Sequence, residues 1–473
     1  MQLDSYCHVH CIGAGGIGIS GVMKFLLAKG ISVSGSDAKQ SMTTDGLVHL
    51  GISVSIGHDA ANIPPNTDLI VYTEAATEEN VERAAAKARN IPQMGHFDFL
   101  GELSKDYRTI CITGTNGKST TTAMTGKIFI DAGLDPTVFV GSIVPGWKYG
   151  NVAVGASDIL IIEGDEYKRK MLKLHPETTL ITNIELDHTD IYKDLADVEA
   201  AFHRLGEQTS KTVFQNWFEQ DRHIYCGEGT ASLRFFGMEL GTPAFFHIGP
   251  LKKRLRTFHD GTQSLTLTAR TRKIFSTEKV LGELAIHIPG EFNMMNALGA
   301  MEIGLHYGIA LEGIVKSLES FSGIWRRFER VGSFNGAQII SDYGHHPSAI
   351  KGTLDGAREF FPANRIVLLF EPHQHNRTKE LFADFAGSFG DADVLILSEI
   401  YGVLGRTEER DESVSSKTLL DAVLKSAHPP KEGFYVKDVI DAEAKLREMI
   451  QPNDVVIVMG AGDVDTVARN LVR

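Results

Sequence analysis

Residues 112–122, ITGTNGKSTTT, combine two glycines, one lysine and several hydroxyl side chains directly after an apolar, strand-like run. Gly114 and Gly117 permit a tight turn whose successive N–H groups can bind an anion. Lys118 can place positive charge on the β- and γ-phosphates of a nucleotide, and Ser119 can coordinate Mg²⁺. The common phosphate loop has a glycine five residues before its second glycine, where this chain has isoleucine. The stretch is therefore a failed match, a shorter phosphate loop, or an ordinary hydroxyl-rich helix start.

Two further strand-like runs end in polar side chains that could hold a metal ion against a phosphate. These side chains are Glu163, Asp165 and Glu166 in DILIIEGDE, and Asn183, Glu185, Asp187 and His188 in TLITNIELDH. The carboxyl ends of parallel strands meet at one edge of a sheet, which is where open α/β sheets bind ligands. Oxygen and imidazole donors at that edge can bind a divalent ion, although His188 taken alone could equally be structural.

Residues 13–18, GAGGIG, match the pattern G-x-G-x-x-G between a strand and a predicted helix at about 19–29, and Asp37 ends the next strand. Glycines let the backbone approach a pyrophosphate, and the helix N-terminus supplies aligned N–H dipoles. This motif alone leaves open a nicotinamide or flavin dinucleotide, another diphosphate such as a UDP-sugar, and a turn without a ligand. A dehydrogenase would not need the second phosphate loop.

The composition excludes several classes of function. A net charge of −13 argues against a nucleic-acid partner, because phosphate backbones require clustered Lys and Arg. No apolar run reaches the roughly 18 residues of a membrane span, and the N-terminus lacks the features of a signal peptide, so we expect no membrane insertion and a cytoplasmic location. Cys7, Cys11 and Cys111 lie in or beside strand-like runs, which favours buried free thiols.

The 473 residues suggest about three domains. Strand-like and helix-like runs alternate in 1–107, 108–330 and 331–473, and this alternation predicts parallel sheets with helices on their faces. The stretch 230–288 differs, with short β-rich runs that indicate an antiparallel extension or a sheet edge. We therefore predict an α/β chain of three domains in series.

Together and in this order, the motifs resemble those of the Mur ligases, the ATP-dependent amide-forming enzymes of peptidoglycan precursor synthesis. GTNGKS is similar to that family's short phosphate loop. The resemblance covers essentially the whole chain through IPGEFNMMNALGA (288–300), FSGIWRRFER (321–330), DYGHHPSAI (342–350), EPHQHNRT (371–378) and GAGDV (460–464). It implies a Rossmann-like N-terminal domain for a UDP-sugar, a central P-loop-type ATP-binding domain with a small antiparallel extension, and a Rossmann-like C-terminal domain for an amino acid.

The resemblance also implies the site residues. The UDP-sugar would contact Gly13, Ala14, Gly15, Gly16, Ile17, Gly18, Asp37, Thr73 and His96. ATP would contact Gly114, Thr115, Asn116, Gly117, Lys118, Ser119, Thr120, Asn293, Asn296, Arg327 and Asp342. The amino acid would contact Tyr343, His345, His346, His373 and Arg377. Ser119 would hold one Mg²⁺, and Glu163 and His188 would hold a second. The catalytic residues would be Lys118, Glu163, His188 and His345.

Within the family, the motifs are most similar to those of the member that joins L-alanine to UDP-N-acetylmuramate through an acyl phosphate, giving ADP and phosphate. The chain departs from that member at Asn116, His96, Phe292 and Gln374, where His, Arg, His and Arg are usual. These departures leave the identity of the amino acid open. We expect a monomer or a weak homodimer.

Four alternatives remain at this point. EGDEY is similar to the sister ligase that attaches a recycled L-Ala-γ-D-Glu-diaminopimelate tripeptide to the same sugar nucleotide. A folate polyglutamate ligase shares the phosphate loop, but the GAGGIG start argues against it. A dinucleotide-dependent oxidoreductase would explain residues 13–37 and nothing at 112–122, and a non-catalytic sugar-nucleotide sensor would not need Lys118, Glu163 and His188.

The basic run Lys168, Arg169 and Lys170 follows EGDEY directly. A solvated helix face is the favoured interpretation of such a run. The alternative is that these cations substitute for the carbamylated lysine that other members of the family use.

Overall fold

A computed structural model of the protein describes residues 3–216, 232–236, 257–259, 262–270, 278–402 and 414–473. The chain forms two compact units. As far as they are described, the first comprises residues up to 250, 268–281 and 296–318, and the second comprises 251–267, 282–295 and 319–473. Among the described residues, no helix is long and apolar enough to cross a membrane.

The first sheet has five parallel strands in the order β3-β2-β1-β4-β5. Its strands are β1 (His8–Ile12), β2 (Ser32–Asp37), β3 (Ser53–Ile56), β4 (Leu69–Tyr72) and β5 (Gln93–Gly95). Its helices are α1 (Ile17–Ala28), α2 (Met42–His49), α3 (Val81–Ala88) and α4 (His96–Ser104). The strand order reverses between β1 and β4, and open α/β sheets bind ligands beside such a reversal. The glycine-rich turn follows β1, and Thr73 follows β4, so both lie at this point.

The second sheet has seven strands in the order β12-β11-β10-β6-β9-β7-β8, and only the β7–β8 pair is antiparallel among its described pairings. Its strands are β6 (Arg108–Thr113), β7 (Thr137–Phe139), β8 (Val152–Ala153), β9 (Ile159–Glu163), β10 (Thr178–Ile181), β11 (Thr212–Asn216) and β12 (Ser232–Phe236). Its helices are α5 (Lys118–Asp131) and α6 (Leu195–Gln208), with a 3₁₀ segment at Tyr167–Lys173. Because β9 and β10 flank β6, the two polar strand ends predicted from the sequence lie on either side of the phosphate loop.

The β-rich stretch predicted at 230–288 contributes to two sheets. Strand β12 adds a parallel edge to the second sheet. A separate three-stranded sheet contains β13 (Thr257–His259), β14 (Thr262–Arg270) and β15 (Glu278–Ile286), of which β13 and β14 are antiparallel. The stretch therefore forms both of the predicted arrangements. Helices α7 (Glu291–His306) and α8 (Leu311–Glu319) follow.

The last sheet has six strands in the order β16-β17-β21-β18-β19-β20, and β16 is antiparallel to its neighbour. Its strands are β16 (Glu329–Phe334), β17 (Ala337–Asp342), β18 (Ile366–Phe370), β19 (Val394–Leu397), β20 (Glu432–Tyr435) and β21 (Val455–Met459). Its helices are α9 (Pro347–Phe360), α10 (His375–Glu380), α11 (Phe382–Ala386), α12 (Ser416–Val423), α13 (Val439–Met449) and α14 (Asp465–Leu471). Three parallel-rich sheets in series confirm the α/β class, whereas the boundaries at 107/108 and 330/331 stay predictions.

Burial of the thiols is as predicted at two of the three positions. Cys11 and Cys111 are buried in β1 and β6, but Cys7 is exposed, so the prediction for that residue is wrong. Cys7 precedes β1 instead of forming part of it, which leaves its side chain outside the packed layer.

A buried carboxylate ties the first sheet to its helices. Glu82 in α3 is fully buried and accepts hydrogen bonds from the Ser36 hydroxyl at 2.6 Å and the Asn62 amide at 2.8 Å, and His10 Nε2 lies 3.1 Å from it. Burial opposes ionisation, but hydrogen bonds from His10 and Ser36 outweigh it and lower the pKa of Glu82 to about 2. The network joins β1, β2 and α3 close to the glycine-rich turn.

Glu82→Gln tests this network. Because the folded pKa of about 2 lies below the ordinary 4.5, ionised Glu82 adds stability above pH 4.5 that is lost as the pH falls toward 2. The shift corresponds to roughly 3 kcal/mol. We expect the variant to unfold more easily in urea at pH 7, by about 2 kcal/mol, and to lose less stability between pH 4.5 and 2. Glu102→Gln, which removes a surface partner of Lys105, should change the free energy of unfolding by less than about 0.5 kcal/mol. Equal effects of the two substitutions would contradict the assignment.

Candidate active site

The turn between β6 and α5 has the geometry of an anion-binding loop. Gly114 and Gly117 have φ of +132° and +86°, which other residues rarely adopt. A Cβ at Gly117 would collide with the Asn296 amide, so the loop is closely packed as well as sharply turned. Helix α5 begins at Lys118, and no side chain caps its first N–H groups. An uncapped helix N-terminus with its dipole suits a phosphate.

Lys118 is held over this loop by three partners. Its ammonium donates to the carbonyl oxygens of Gly114 at 2.7 Å and Thr115 at 3.0 Å, and lies 2.8 Å from Glu166 Oε2. Burial alone would lower the pKa of Lys118, but the Glu166 carboxylate outweighs it and raises the pKa above its ordinary value. The lysine therefore stays protonated, and its ammonium is fixed at the loop.

The loop after β10 holds the phosphate loop in place. Asn183 Oδ1 accepts a hydrogen bond from the Asn116 N–H at 2.8 Å, and the Glu185 N–H donates to the Thr115 hydroxyl at 2.8 Å. The Asn116 side chain donates to Glu185 Oε2 at 3.4 Å. Asn183 and Glu185, which the sequence offered as metal ligands, thus bind the loop itself.

The predicted metal ligands form two groups beside the loop. The Ser119 hydroxyl donates to Glu163 Oε1 at 2.9 Å, and Glu163 Oε2 accepts from the Gly141 N–H. His188, with φ of +56°, places Nε2 3.5 Å from Glu166 Oε1. In the part of the chain that the structure describes, no three His, Cys, Asp or Glu side chains form a metal-binding cluster. The Ser119 and Glu163 oxygens nevertheless fit Mg²⁺, which prefers few protein oxygens together with water and phosphate.

The glycine-rich turn is packed against three of the predicted side chains. A Cβ at Gly13 would collide with Thr73, and one at Gly18 would collide with His96. The Gly15 N–H donates to Asp37 Oδ2 at 2.8 Å. These contacts bring Thr73, Asp37 and His96 around the first turn of α1.

His96 is neutral at physiological pH. Burial, reinforced by the nearby Lys170 ammonium, lowers the pKa of His96 to about 4. Its imidazole can therefore hydrogen-bond a polar ligand group at the first turn of α1, but it supplies no positive charge there.

The predicted adenine contacts lie on α7. Asn296, in the first unit, is buried beside Gly117. Asn293, in the second unit, is also buried, and its amide donates to the Pro289 carbonyl oxygen at 2.6 Å. Asn296 thus adjoins the phosphate loop, and Asn293 secures the turn that leads into the helix.

Asp342 organises the loop after β17 in the second unit. Its two carboxylate oxygens accept hydrogen bonds from the Phe328 and Gly344 N–H groups, both at 2.7 Å. Burial raises the pKa of Asp342 although the Arg327 guanidinium works in the opposite direction. The Arg327 guanidinium lies 5.1 Å from the centre of the Tyr343 ring. This carboxylate therefore fixes the segment that presents Arg327 and Tyr343.

Aromatic rings line the same sheet edge. His345 lies 5.2 Å from Tyr343 and 5.8 Å from His373, and His373 stacks on Tyr401 at 5.7 Å. His346 caps α9 through Ser348, and Pro347 opens that helix. The structure thus places a helix start at Pro347 beside the rings predicted to contact an amino acid.

Two carboxylates of the site were not singled out from the sequence. Glu166 was offered only as one of several strand-end acids, yet it is the acid that pairs with Lys118. Glu371 follows β18 and is 4% exposed, and burial, with repulsion from Asp463, raises its pKa to about 7. Arg377 is buried in α10 nearby in sequence. The position of Glu371 at a strand end within EPHQHNRT is the sequence feature that could have identified it as a candidate.

The basic run after EGDEY does not form a solvated helix face, so the favoured interpretation is wrong. Lys168 and Arg169 have φ of +53° and +56°, and this left-handed backbone interrupts the helical segment Tyr167–Lys173. Lys168 is exposed, whereas Arg169 pairs with Asp197 at 2.7 Å and Lys170 turns inward to pair with Asp165 at 2.7 Å. The local sequence does not predict left-handed backbone at lysine or arginine. This backbone directs the three cations into different surroundings.

Family models match all three parts of the chain. The Mur ligase family catalytic domain matches residues 8–108, the Mur ligase middle domain matches 112–304, and the Mur ligase glutamate ligase domain matches 326–462. These matches follow the three sheets in order and agree with the predicted three-domain architecture.

Relatives and solved structures give the same family. The UDP-N-acetylmuramate--L-alanine ligase of Lachnoclostridium phytofermentans is 36% identical over 98% of both chains, and that of Salinibacter ruber is 35% identical over 96% of this chain and 92% of its own. The crystal structure of the UDP-N-acetylmuramate-alanine ligase of Thermotoga maritima has a TM-score of 0.81 at 26% identity, covering 98% of both chains. A murein peptide ligase of Psychrobacter arcticus shares the fold, with a TM-score of 0.70 at 20% identity and 98% coverage of both chains. The chain belongs to the Mur ligase family.

Proposed function

We propose that this protein uses ATP to join L-alanine to the carboxylate of UDP-N-acetylmuramate, giving ADP and phosphate. The observation that carries the proposal is Lys118, fixed by Gly114, Thr115 and Glu166 at the uncapped start of α5. That arrangement suits a transferring phosphoryl group, which needs positive charge and N–H donors more than a proton acceptor. The names of the 36%-identical relatives support L-alanine and UDP-N-acetylmuramate as the substrates.

The reaction requires activation of the sugar carboxylate, because its charge repels nucleophiles and oxide is a poor leaving group. The carboxylate oxygen attacks the γ-phosphate, which releases ADP and leaves an acyl phosphate. The neutral amine of L-alanine then attacks the acyl carbon, and the C–O bond to phosphate breaks. One amine proton leaves with the phosphate as the amide forms. Closure of the site would exclude water, which would hydrolyse the acyl phosphate.

In the first unit, ATP binding is assigned to the phosphate loop and to Asn296. The N–H groups of residues 117–120, at the uncapped start of α5, would bind the phosphates, Lys118 would contact the γ-phosphate, and Asn296 beside Gly117 would lie toward the nucleoside. Asn293, Arg327 and Asp342 complete the proposed nucleotide contacts.

Mg²⁺ is assigned to Ser119, Glu163 and His188. The Ser119–Glu163 pair offers adjacent oxygen donors at the start of α5. His188 lies beside Glu166, which in turn pairs with Lys118. A bound Mg²⁺ supplies positive charge to the phosphate oxygens. In this chain, Glu163 orients the Ser119 hydroxyl, and Glu166 orients the Lys118 ammonium.

The two other substrates are assigned to separate sheet edges. The UDP-sugar diphosphate lies at residues 13–18, with Asp37, Thr73 and neutral His96 around it. The amino acid lies among the side chains at the ends of β17 and β18 and in α10, which are Tyr343, His345, His346, His373 and Arg377. A cytoplasmic location and a monomer or weak homodimer stay predictions.

Phosphate release with UDP-N-acetylmuramate, ATP and a panel of amino acids and peptides tests the function. L-alanine should support turnover with at least about tenfold higher kcat/KM than glycine, L-serine or the L-Ala-γ-D-Glu-diaminopimelate tripeptide. Turnover with the tripeptide alone would identify the sister reaction. Nicotinamide binding without ATP turnover would favour an oxidoreductase.

Lys118→Ala should abolish ligation, with a fall in kcat of at least about 10³-fold, because the γ-phosphate loses its fixed positive charge. Calorimetric binding of UDP-N-acetylmuramate should stay within about twofold of the unmodified protein. Lys127→Ala, which removes a surface lysine of the same helix paired with Asp131, is the control and should keep full activity. Equal loss of ligation and sugar-nucleotide binding would show that Lys118 does not serve ATP.

Gly117→Ala should weaken binding of a non-hydrolysable ATP analogue by about tenfold or more, because the new methyl displaces Asn296 and strains the loop. Gly133→Ala is a matched control, since Gly133 has φ of +75° but nothing within 4 Å of an added Cβ. That control should lose about 1 kcal/mol of stability and bind the analogue normally. Weak binding by both variants would indicate a general effect of backbone strain.

Arg377→Ala should raise the KM for L-alanine by about tenfold or more while the KM for ATP stays unchanged, because a guanidinium binds a carboxylate in bidentate geometry. Lys379→Ala, at an exposed position of the same helix, should leave both constants unchanged. A rise confined to the KM for ATP would remove Arg377 from the amino-acid site.

A further inference from the structure

Lys170 is a partly buried cation without a role in the reaction proposed above. Its side chain is 16% exposed, and its ammonium lies 2.7 Å from Asp165 and 4.0 Å from Glu74. It also lies over two aromatic rings, 5.0 Å from the centre of Tyr167 and 5.7 Å from that of Phe97. Placing a lysine in such surroundings requires the turn at residues 168–169, where two successive residues adopt left-handed backbone. Strain of this kind often accompanies function.

The contacts of Lys170 lie between two sites within the first unit. Glu74 directly follows Thr73, and Phe97 directly follows His96, so both belong to the segments that surround the glycine-rich turn. Asp165 directly precedes Glu166, the partner of Lys118 at the phosphate loop. Lys170 is therefore positioned where a molecule extending from the first turn of α1 toward α5 would pass.

The proposed sugar substrate has to extend in this way. Its diphosphate is assigned to residues 13–18, and its lactyl carboxylate must reach the γ-phosphate beside Lys118. That path runs along an edge that carries Glu163, Asp165 and Glu166, which repel a carboxylate. His96 offers no compensating charge, because its lowered pKa keeps it neutral.

We propose that the Lys170 ammonium binds the lactyl carboxylate of UDP-N-acetylmuramate and holds it for attack on the γ-phosphate. The substrate carboxylate shares or replaces Asp165 as the partner of the ammonium. Lys170 thereby selects sugar nucleotides that carry an acid, and it lowers the repulsion between two anions that must approach each other. This inference rests on the proposed function and adds a residue that recognises the reacting group.

A binding cycle with two ligands and two substitutions tests the proposal. Calorimetry without ATP measures UDP-N-acetylmuramate and UDP-N-acetylglucosamine, which lacks the lactyl carboxylate, on the full-length protein. Lys170→Gln should weaken binding of the first ligand by about tenfold or more and change binding of the second by less than about twofold. Lys168→Gln removes an exposed lysine of the same turn, whose ammonium lies 5.6 Å from the centre of the Tyr167 ring, and should leave both affinities unchanged.

Equal weakening of both ligands, or no change for either, would overturn the role of Lys170. Lys170→Arg keeps the charge and should keep the preference for the acidic ligand. It provides the test if the glutamine variant does not fold, and loss of the preference in a folded arginine variant would also count against the proposal. Phosphate release by the unmodified protein distinguishes failure of the proposed function from failure of the Lys170 inference. Failure of that protein to turn over L-alanine would contradict the proposed function, whereas normal turnover with an unaffected Lys170→Gln variant would contradict only this inference.

Discussion

A single ion pair at the start of α5 sets the arrangement of the phosphate site. The Lys118 side chain turns back over two carbonyl groups and stays charged although it is partly buried, and Glu166 stabilises that charge. Glu166 itself comes from the segment after β9, and His188 lies beside it from the segment after β10. The position of the ammonium thus depends on strand ends on both sides of β6. The parallel pairing of β9, β6 and β10 places Lys118, Glu166 and His188 close together.

The same principle recurs at each sheet. Parallel strands present their carboxyl ends at one edge, where helices begin and leave N–H groups available. The glycine-rich turn follows β1, the phosphate loop follows β6, and Asp342 ends β17. We propose that each of the three substrates binds at one of these edges, and we assign a cation to each developing or fixed anion. We propose that Lys118 binds the phosphate, Arg377 the amino-acid carboxylate, and Lys170 the sugar carboxylate.

Strand ends and glycine turns could be predicted from the sequence because they depend on local residue types. Apolar runs predicted β6, β9 and β10, and α1 begins at Ile17, two residues before the predicted start. Contacts between distant segments could not be predicted in this way. No local pattern shows that Glu166, among several acids, pairs with Lys118, or that Asn183 holds Asn116. The left-handed turn at 168–169 is determined by tertiary contacts such as Arg169–Asp197, so the inward direction of Lys170 was not visible from the run of basic letters.

Transfer of oxygen from the sugar carboxylate to phosphate tests the central claim most directly. UDP-N-acetylmuramate with ¹⁸O at both oxygens of the lactyl carboxylate is incubated with the protein, ATP and L-alanine. The masses of the products are then measured by mass spectrometry. Attack of the carboxylate on the γ-phosphate held by Lys118 predicts one ¹⁸O atom in each inorganic phosphate released and one retained in the amide product. Unlabelled phosphate, or label in AMP instead, would contradict activation at the γ-phosphate.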